Sequence, residues 1–254
     1  MGAIPISAVV ICRNAEETIS ACCASLQALD EVLIYLNGST DQTRQRCQGF
    51  DNVTVVDGEF LGFGPTKNAA VSAARHDWVL SLDSDEFADD ALIAALRDQS
   101  WDDANVAFTV LRKNRFCGQH VDKGGWGNDT LLRVFHRATA RFNERPVHEK
   151  VVADSQVNIQ RLDGVLWHDA VTSLDQFLQK TSYYSELNAQ NVPPKFGQHP
   201  MIALFRAFFR FFKSYVLQLG FLAGWRGIVI AYASGTGAFF KYAKRYTKSR
   251  GFES

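Results

Sequence analysis

The sequence predicts an α/β fold, a mostly parallel sheet flanked by helices, with a C-terminal helical appendage that is basic and aromatic. Three observations predict it. Short apolar, β-branched runs alternate with segments of helical spacing from Ile6 to Leu82, the pattern of parallel strands joined by right-handed crossovers. The loops after those strands carry polar, glycine and acidic residues. Charge is also divided unevenly: residues 1–200 hold 18 Lys+Arg against 26 Asp+Glu, and residues 201–254 hold 9 against 1. The formal net charge of zero therefore hides a tail of +8, which points to a partner of its own.

The elements follow in order. Ile6 to Cys12 is nearly all apolar and reads as a central strand buried on both faces. Ile19, Cys22, Cys23, Leu26 and Leu29 give residues 15–29 helical spacing. Glu31 to Leu36 is the second strand, and Asn37-Gly38-Ser39-Thr40-Asp41 is turn chemistry that opens a helix to about Gln48. Val53 to Val56 is the third strand. Gly62-Phe63-Gly64-Pro65-Thr66-Lys67-Asn68 reads as a loop opening a helix over 67–75, with Lys67 near its positive end. Trp78 to Leu82 is the fourth strand.

That fourth strand runs into Asp83-Ser84-Asp85-Glu86. Strand carboxyl ends are where an open α/β sheet keeps its ligand site. Asp-x-Asp places two hard oxygen ligands on one short turn, which suits Mg²⁺ or Mn²⁺ carrying a diphosphate. The competing reading is that Asp83 or Ser84 caps a helix starting near Ala88. Lys67 across the same edge favours the first: an acidic turn facing a cation is reconciled by a nucleotide diphosphate held between metal and ammonium.

Later in the chain, Val106 to Leu111 and Leu131 to Phe135 read as strands. Arg112-Lys113-Asn114-Arg115 is a cationic patch, and Gly118 to Gly127 is glycine-rich and expected to be a mobile loop beside the site. Residues 173–191 form a helix. The five cysteines form no C-x-x-C pair and are expected to be reduced, mostly buried thiols. The short run Ile6 to Ile11 leads straight into charged residues, so no signal peptide is expected. No close Cys/His set suggests zinc, and no nucleic-acid partner is expected.

Four blocks carry a resemblance: Ile11 to Glu16, Asn37 to Thr43, Gly62 to Asn68 and Leu80 to Glu86. In this order they resemble family 2 glycosyltransferases with the Rossmann-like GT-A fold. With Gly124-Gly125-Trp126, Leu131 to Phe135, Val147-His148-Glu149, Trp167-His168 and Phe239 to Tyr242, the chain is similar to the bacterial lipopolysaccharide-core β-1,4-glucosyltransferase group. The resemblance implies inverting transfer of glucose or a similar hexose from a nucleotide-sugar, UDP-linked, to a lipid-linked saccharide acceptor. It implies a divalent metal on Asp85 and His168, Asp83 on the donor's ribose or sugar, and Arg13, Asn14, Asp41 and Lys67 along the nucleotide. Glu149 is the implied base, with His148 positioning it or its loop; on spacing alone, Glu149 pairs with Arg145 or Lys150 instead. Arg112, Arg115 and Arg133 are candidates for acceptor acid groups. One departure is Leu36, where the family carries an Asp that reads uracil; a Leu cannot accept the base N–H, and Asn37 next to it would point to the opposite face. This keeps an alternative alive, a non-catalytic saccharide-binding or scaffold subunit.

Residues 1–192 are expected to form the catalytic domain and 193–254 a separate region. In the latter, Met201 to Phe212 has Arg206, Arg210 and Lys213 along one polar edge. No apolar run there reaches the roughly 20 residues that span a bilayer. Residues 201–250 are expected to lie on an anionic membrane surface or to pack on a second subunit. The enzyme would then be cytoplasmic, peripheral on the inner face of the bacterial plasma membrane, with a homo-oligomer left open.

Overall fold

The computed structural model describes residues 2–127, 129–144, 149–191 and 199–251. The chain divides into two compact units, residues 1–113 with 129–168, and residues 114–128 with 169–254. The division expected between residues 192 and 193 lies outside the described residues.

The first unit is built on β1 (Ile4–Cys12), β2 (Leu29–Leu36), β3 (Val53–Asp57) and β4 (Trp78–Asp83), with α1 (Ile19–Ser25), α2 (Thr43–Cys47) and α3 (Phe63–Ala73) between them. These four strands are parallel, in the order β3-β2-β1-β4. Their apolar runs are continuous because both faces are covered. Ile6, Ala8, Val10 and Cys12 join one core layer with α1, while Val9 joins the other with Ala70 and Val71 of α3. Leu36 belongs to the first layer and is a core residue.

Beyond β4 the sheet continues through β8 (Asp129–His136), β6 (Val106–Phe116), β11 (Asn158–Val171) and β5 (Glu86–Ala88). β8 is antiparallel to both β4 and β6, and β5 to β11. β4 and β5 are joined by Ser84 and Asp85 alone, yet the hydrogen-bonded path between them crosses three other strands. Strands lie about 4.8 Å apart and a residue reaches at most about 3.6 Å, so this part of the sheet must curl back on itself. The acidic turn sits at that closure.

Helix α4 (Asp90–Arg97) follows β5. Its cap is Asp89, whose Oδ1 accepts from Leu92 N–H at 2.8 Å and from Val165 N–H of β11 at 3.0 Å. Neither Asp83 nor Ser84 caps it, so the capping reading of the acidic turn fails. Gly164, at φ +96°, lets β11 pass against this helix start; a Cβ there would overlap the backbone nitrogen of Leu92. Gly164→Ala combines overpacking with a left-handed backbone, and thermal unfolding should show a loss of about 3 kcal/mol. A loss below about 1 kcal/mol would mean that this crossing is loose.

Two helices differ from expectation. α1 is shorter than residues 15–29, because the preceding backbone is held by side chains of the next loop: Ala15 N–H donates to Thr43 Oγ1 and Glu16 N–H to Asp41 Oδ2. α3 begins at Phe63 rather than near Lys67. Pro65 sits in its first turn, where the missing N–H has no helical partner to lose.

The remaining short strands, β9 (Ala140–Phe142) and β10 (Val151–Ala153), form an antiparallel pair. In the second unit, β7 (Gln119–His120) pairs with the end of β6. Phe116, Val121, Val171 and Ile230 form a small core there with Trp126 and Phe177 against it. The glycine-rich segment is tied down rather than open: Gly124 N–H donates to the Gln218 carbonyl, and Ser214 Oγ donates to the Gly124 carbonyl. α5 (Leu174–Asn191) and α6 (Pro200–Phe212) both pack on α7 (Gly224–Ser249). A π-helical turn, Lys213–Leu217, and a 3₁₀ turn, Gly220–Ala223, join α6 to α7. Among the described residues, no single helix is long and apolar enough to cross a membrane.

Candidate active site

The site is a chain of alternating charges in the first unit. Glu86 lies at its base, fully buried at 0% exposure. Its carboxylate accepts from the Asp83 N–H at 2.9 Å, twice from one Arg133 amino group at 2.7 and 2.9 Å, and from Arg112 Nη1 at 3.2 Å. The same Arg133 nitrogen reaches Asp83 Oδ2 at 3.2 Å. The other oxygen of Asp83 accepts from Lys67 Nζ at 2.7 Å, and Lys67 Nζ lies 2.9 Å from Glu149 Oε1. A strand end and the segment before β10 thus meet on one ammonium from α3, while β8 reaches the same Asp83 through Arg133.

Register explains part of this. β8 pairs with β4 through Trp78–His136, Val79–Phe135 and Leu80–Val134, which sets Arg133 beside the outgoing end of β4. β5 pairs with β11 so that Glu86 faces His168. That pairing brings His168 Nε2 to 3.5 Å from Asp85 Oδ1.

The electrostatics follow from burial and neighbours. Burial opposes charge on Asp83, but Lys67 and Arg133 outweigh it and hold its carboxyl well below the usual range. Burial likewise opposes charge on Lys67, whose side chain is 4% exposed, and the carboxylates of Asp83 and Glu149 reverse it. Both groups are therefore charged at neutral pH. The Asp83 side chain remains 35% exposed, open to a ligand on one side.

Sequence-predicted residues fall into three groups. Asp83, Lys67 and Glu149 converge, with Asp85 and His168 as an adjoining pair. Asn14 and Asp41 stitch two loops together: Asn14 Oδ1 accepts from Thr40 N–H at 2.8 Å, and Asp41 accepts from Glu16 and Thr43. Arg13, on the first of these loops, is exposed. The alternative pairing of Glu149 with Arg145, and the role of His148, fall on residues outside those described. The acceptor role expected of Arg133 and Arg112 is not what the structure shows: Arg133 is buried on Glu86 and Asp83, and Arg112 pairs with Glu86 and Asp129. Arg115, in the second unit, pairs with Asp169. Their charges are drawn inward because a buried carboxylate without a cation is costly.

Glu86 and Arg133 are the residues that sequence reading undervalued. Arg133 had one signal, a charge inside the apolar run Leu131 to Phe135, and Glu86 was the last residue of the acidic run. Asn37 is another: its Oδ1 is buried with no hydrogen-bond partner among the described residues.

The donor set also bears on a metal. Among the described residues no group of three or more His, Cys, Asp or Glu stands ready for one. The Asp85–His168 pair supplies one oxygen and one nitrogen, and Mg²⁺-type ions are commonly held by one or two protein ligands with substrate phosphates and water completing the shell. The pair fits such an ion; Asp83, engaged on both oxygens, does not add to it. Cys12, Cys22, Cys23 and Cys47 are buried, Cys117 is partly exposed, and burial pushes the Cys12 thiol up to about 12.

A lipopolysaccharide core biosynthesis glycosyltransferase, LpsC, of Rhizobium meliloti (strain 1021) is 28% identical, the match covering 96% of this chain and 93% of that protein. An uncharacterized glycosyltransferase of Rickettsia typhi is 25% identical, covering 94% of this chain and 86% of its own. Among solved structures, S. aureus TarS 1–349 in complex with UDP aligns at a TM-score of 0.44 with 16% identity, over 97% of this chain and 92% of that one. The family model described as glycosyl transferase family 2 matches residues 7–156. That span is more than half of the chain and takes in Lys67, the whole acidic turn, Arg133 and Glu149, so the chain belongs to glycosyl transferase family 2.

Proposed function

We propose that the chain transfers glucose or a similar hexose, with inversion, from a UDP-linked donor to a saccharide of lipopolysaccharide core or a related lipid-linked glycan. The observation that carries this reading is Lys67 Nζ, bonded to Asp83 Oδ1 and to Glu149 Oε1 at once. One ammonium thereby joins the residue expected on the donor to the residue expected on the acceptor.

In this reading Glu149 takes the proton from the attacking acceptor hydroxyl while the nucleotide leaves from the opposite face of the sugar. Asp83, fixed on both oxygens and through its backbone N–H, presents its exposed side to the donor's ribose or sugar. Lys67 lies close enough to offset charge that gathers on the leaving diphosphate. Asp85 and His168 would hold a divalent metal, Mg²⁺ or Mn²⁺, whose chemistry is charge neutralisation on that diphosphate. Uridine is the base we favour from the resemblance alone: Leu36 lies in the core and offers no acceptor to the base N–H. The homology to a lipopolysaccharide core enzyme supports the acceptor class. With a lipid-linked acceptor, the enzyme is proposed to work at the cytoplasmic face of the bacterial plasma membrane.

Calorimetric titration of UDP, GDP and CDP, with and without Mn²⁺, tests the donor side. UDP should bind best, Mn²⁺ should strengthen it, and Asp85→Ala should remove the Mn²⁺ gain, a loss of roughly tenfold or more in affinity. Folded protein that binds no nucleotide would end the transferase reading.

A further inference from the structure

Helix α6 is inside out for a water-soluble protein. Its buried residue is Ala203, and Ala207 with Phe211 meets α7 closely at Gly235, where an added Cβ would lie 3.0 Å from the Ala207 carbonyl oxygen. The opposite face carries Leu204, Phe205, Phe208, Phe209 and Phe212, all exposed, with Phe205 at 71% and Phe208 at 66%. The spacing i, i+1, i+4, i+5, i+8 makes these one continuous stripe.

The stripe runs on into the turns that join α6 to α7. Leu217, Leu219, Phe221, Leu222 and Trp225 are each exposed by 45% or more. Here the chain bends by 70°, and Leu219 takes a left-handed conformation at φ +57°, which is strained for a residue with a Cβ. Gly220 and Gly227 allow the bend, because a Cβ on Gly227 would overlap the Gly220 carbonyl. The backbone of the bend is satisfied from within: Gln218, Leu219 and Leu222 N–H groups donate to the carbonyls of Lys213, Val216 and Leu219. The bend therefore presents apolar side chains at its tip and few backbone groups that need water.

The charges lie where a lipid headgroup layer would want them. Arg206, Arg210 and Lys213 occupy the helical flank between the apolar stripe and the seam with α7. Arg206 stacks on Tyr242 at 4.4 Å, while Lys244 and Lys248 are taken up by Glu186. Residues 201–254 contain one acidic residue against nine basic ones.

We infer that the outward stripe of α6 and the bend at residues 217–225 insert into the interfacial layer of an anionic phospholipid bilayer, with Arg206, Arg210 and Lys213 meeting the headgroups. This is the depth at which amphipathic helices lie, about 5–10 Å into the headgroup and acyl boundary. The inference rests on the lipid-linked acceptor proposed above and names the surface that would bring the enzyme to it.

Sedimentation of the full chain with phosphatidylcholine vesicles, with and without 30% phosphatidylglycerol, tests it without donor or acceptor. The chain should sediment with the anionic vesicles. Phe205→Glu with Phe208→Glu, both on the exposed face, should lower binding at least tenfold with an unchanged melting temperature. Arg206→Gln with Arg210→Gln should lower it roughly twenty-fivefold, at about fivefold per charge. Equal binding to neutral vesicles overturns the anionic-lipid assignment. No binding to either vesicle, or a solution dimer that Phe205→Glu dissociates, overturns the membrane face itself. UDP titration on the same preparations separates the two ideas, since vesicle binding with no nucleotide binding condemns the transferase reading alone.

Discussion

Glu149→Gln is expected to lower kcat by about 10²- to 10⁴-fold, the contribution of a positioned general base. Glutamine keeps an oxygen for Lys67 Nζ, which lies 2.9 Å from the native carboxylate, but it cannot take a proton at neutral pH. UDP affinity should change less than threefold, because the substitution leaves Asp83, Asp85 and His168 in place. Steady-state kinetics with calorimetry on one preparation reads both quantities. A variant retaining kcat within threefold would move the base to another residue and leave Glu149 as a partner that orients Lys67.

Arg133→Met should be the most destabilising change in the first unit. The guanidinium gives two of its hydrogen bonds to Glu86, which has no exposed surface, and a third to Asp83. Methionine fills much of the volume but leaves a buried carboxylate with Arg112 at 3.2 Å as its remaining cation. Breaking a buried pair in this way costs about 3–5 kcal/mol. Urea unfolding should show this as a lower midpoint. The double variant Glu86→Leu with Arg133→Met should recover part of the loss, because removing both charges also removes their desolvation penalty. A single-variant loss under about 1 kcal/mol would show that Arg112 alone suffices for Glu86.

These two predictions concern residues of different legibility. Glu149 stood out through the block around it, whereas its partner did not: spacing alone favoured Arg145 or Lys150. Lys67 was expected at a helix start, where its charge would add to the dipole. Its actual place is the second turn of α3, because Pro65 is accepted in the first turn and the helix begins at Phe63. From there the ammonium points at Asp83 and Glu149 rather than into water.

The early strands were readable because each is an apolar run on a sheet covered on both faces. β1, β2, β3 and β4 fall within a few residues of Ile6 to Cys12, Glu31 to Leu36, Val53 to Val56 and Trp78 to Leu82. Their parallel order follows from the helices between them. The length of α1 was less readable, since periodicity over residues 15–29 says nothing of the Thr43 and Asp41 side chains that hold the chain before it.

By itself, then, the sequence determined the α/β class, the convergence of loops at strand carboxyl ends, the acidic turn and the basic aromatic tail. Each is encoded locally, in runs and spacings of a few residues. Only the tertiary structure decided that Glu86 and Arg133 support the turn, that β5 returns to set His168 against Asp85, and that the apolar face of α6 points outward. Those outcomes depend on register between distant strands and on which face of a helix finds a small-residue seam. A hydrophobic pattern marks a face; it takes the packing of Ala203, Ala207 and Gly235 to say that the other one goes inside.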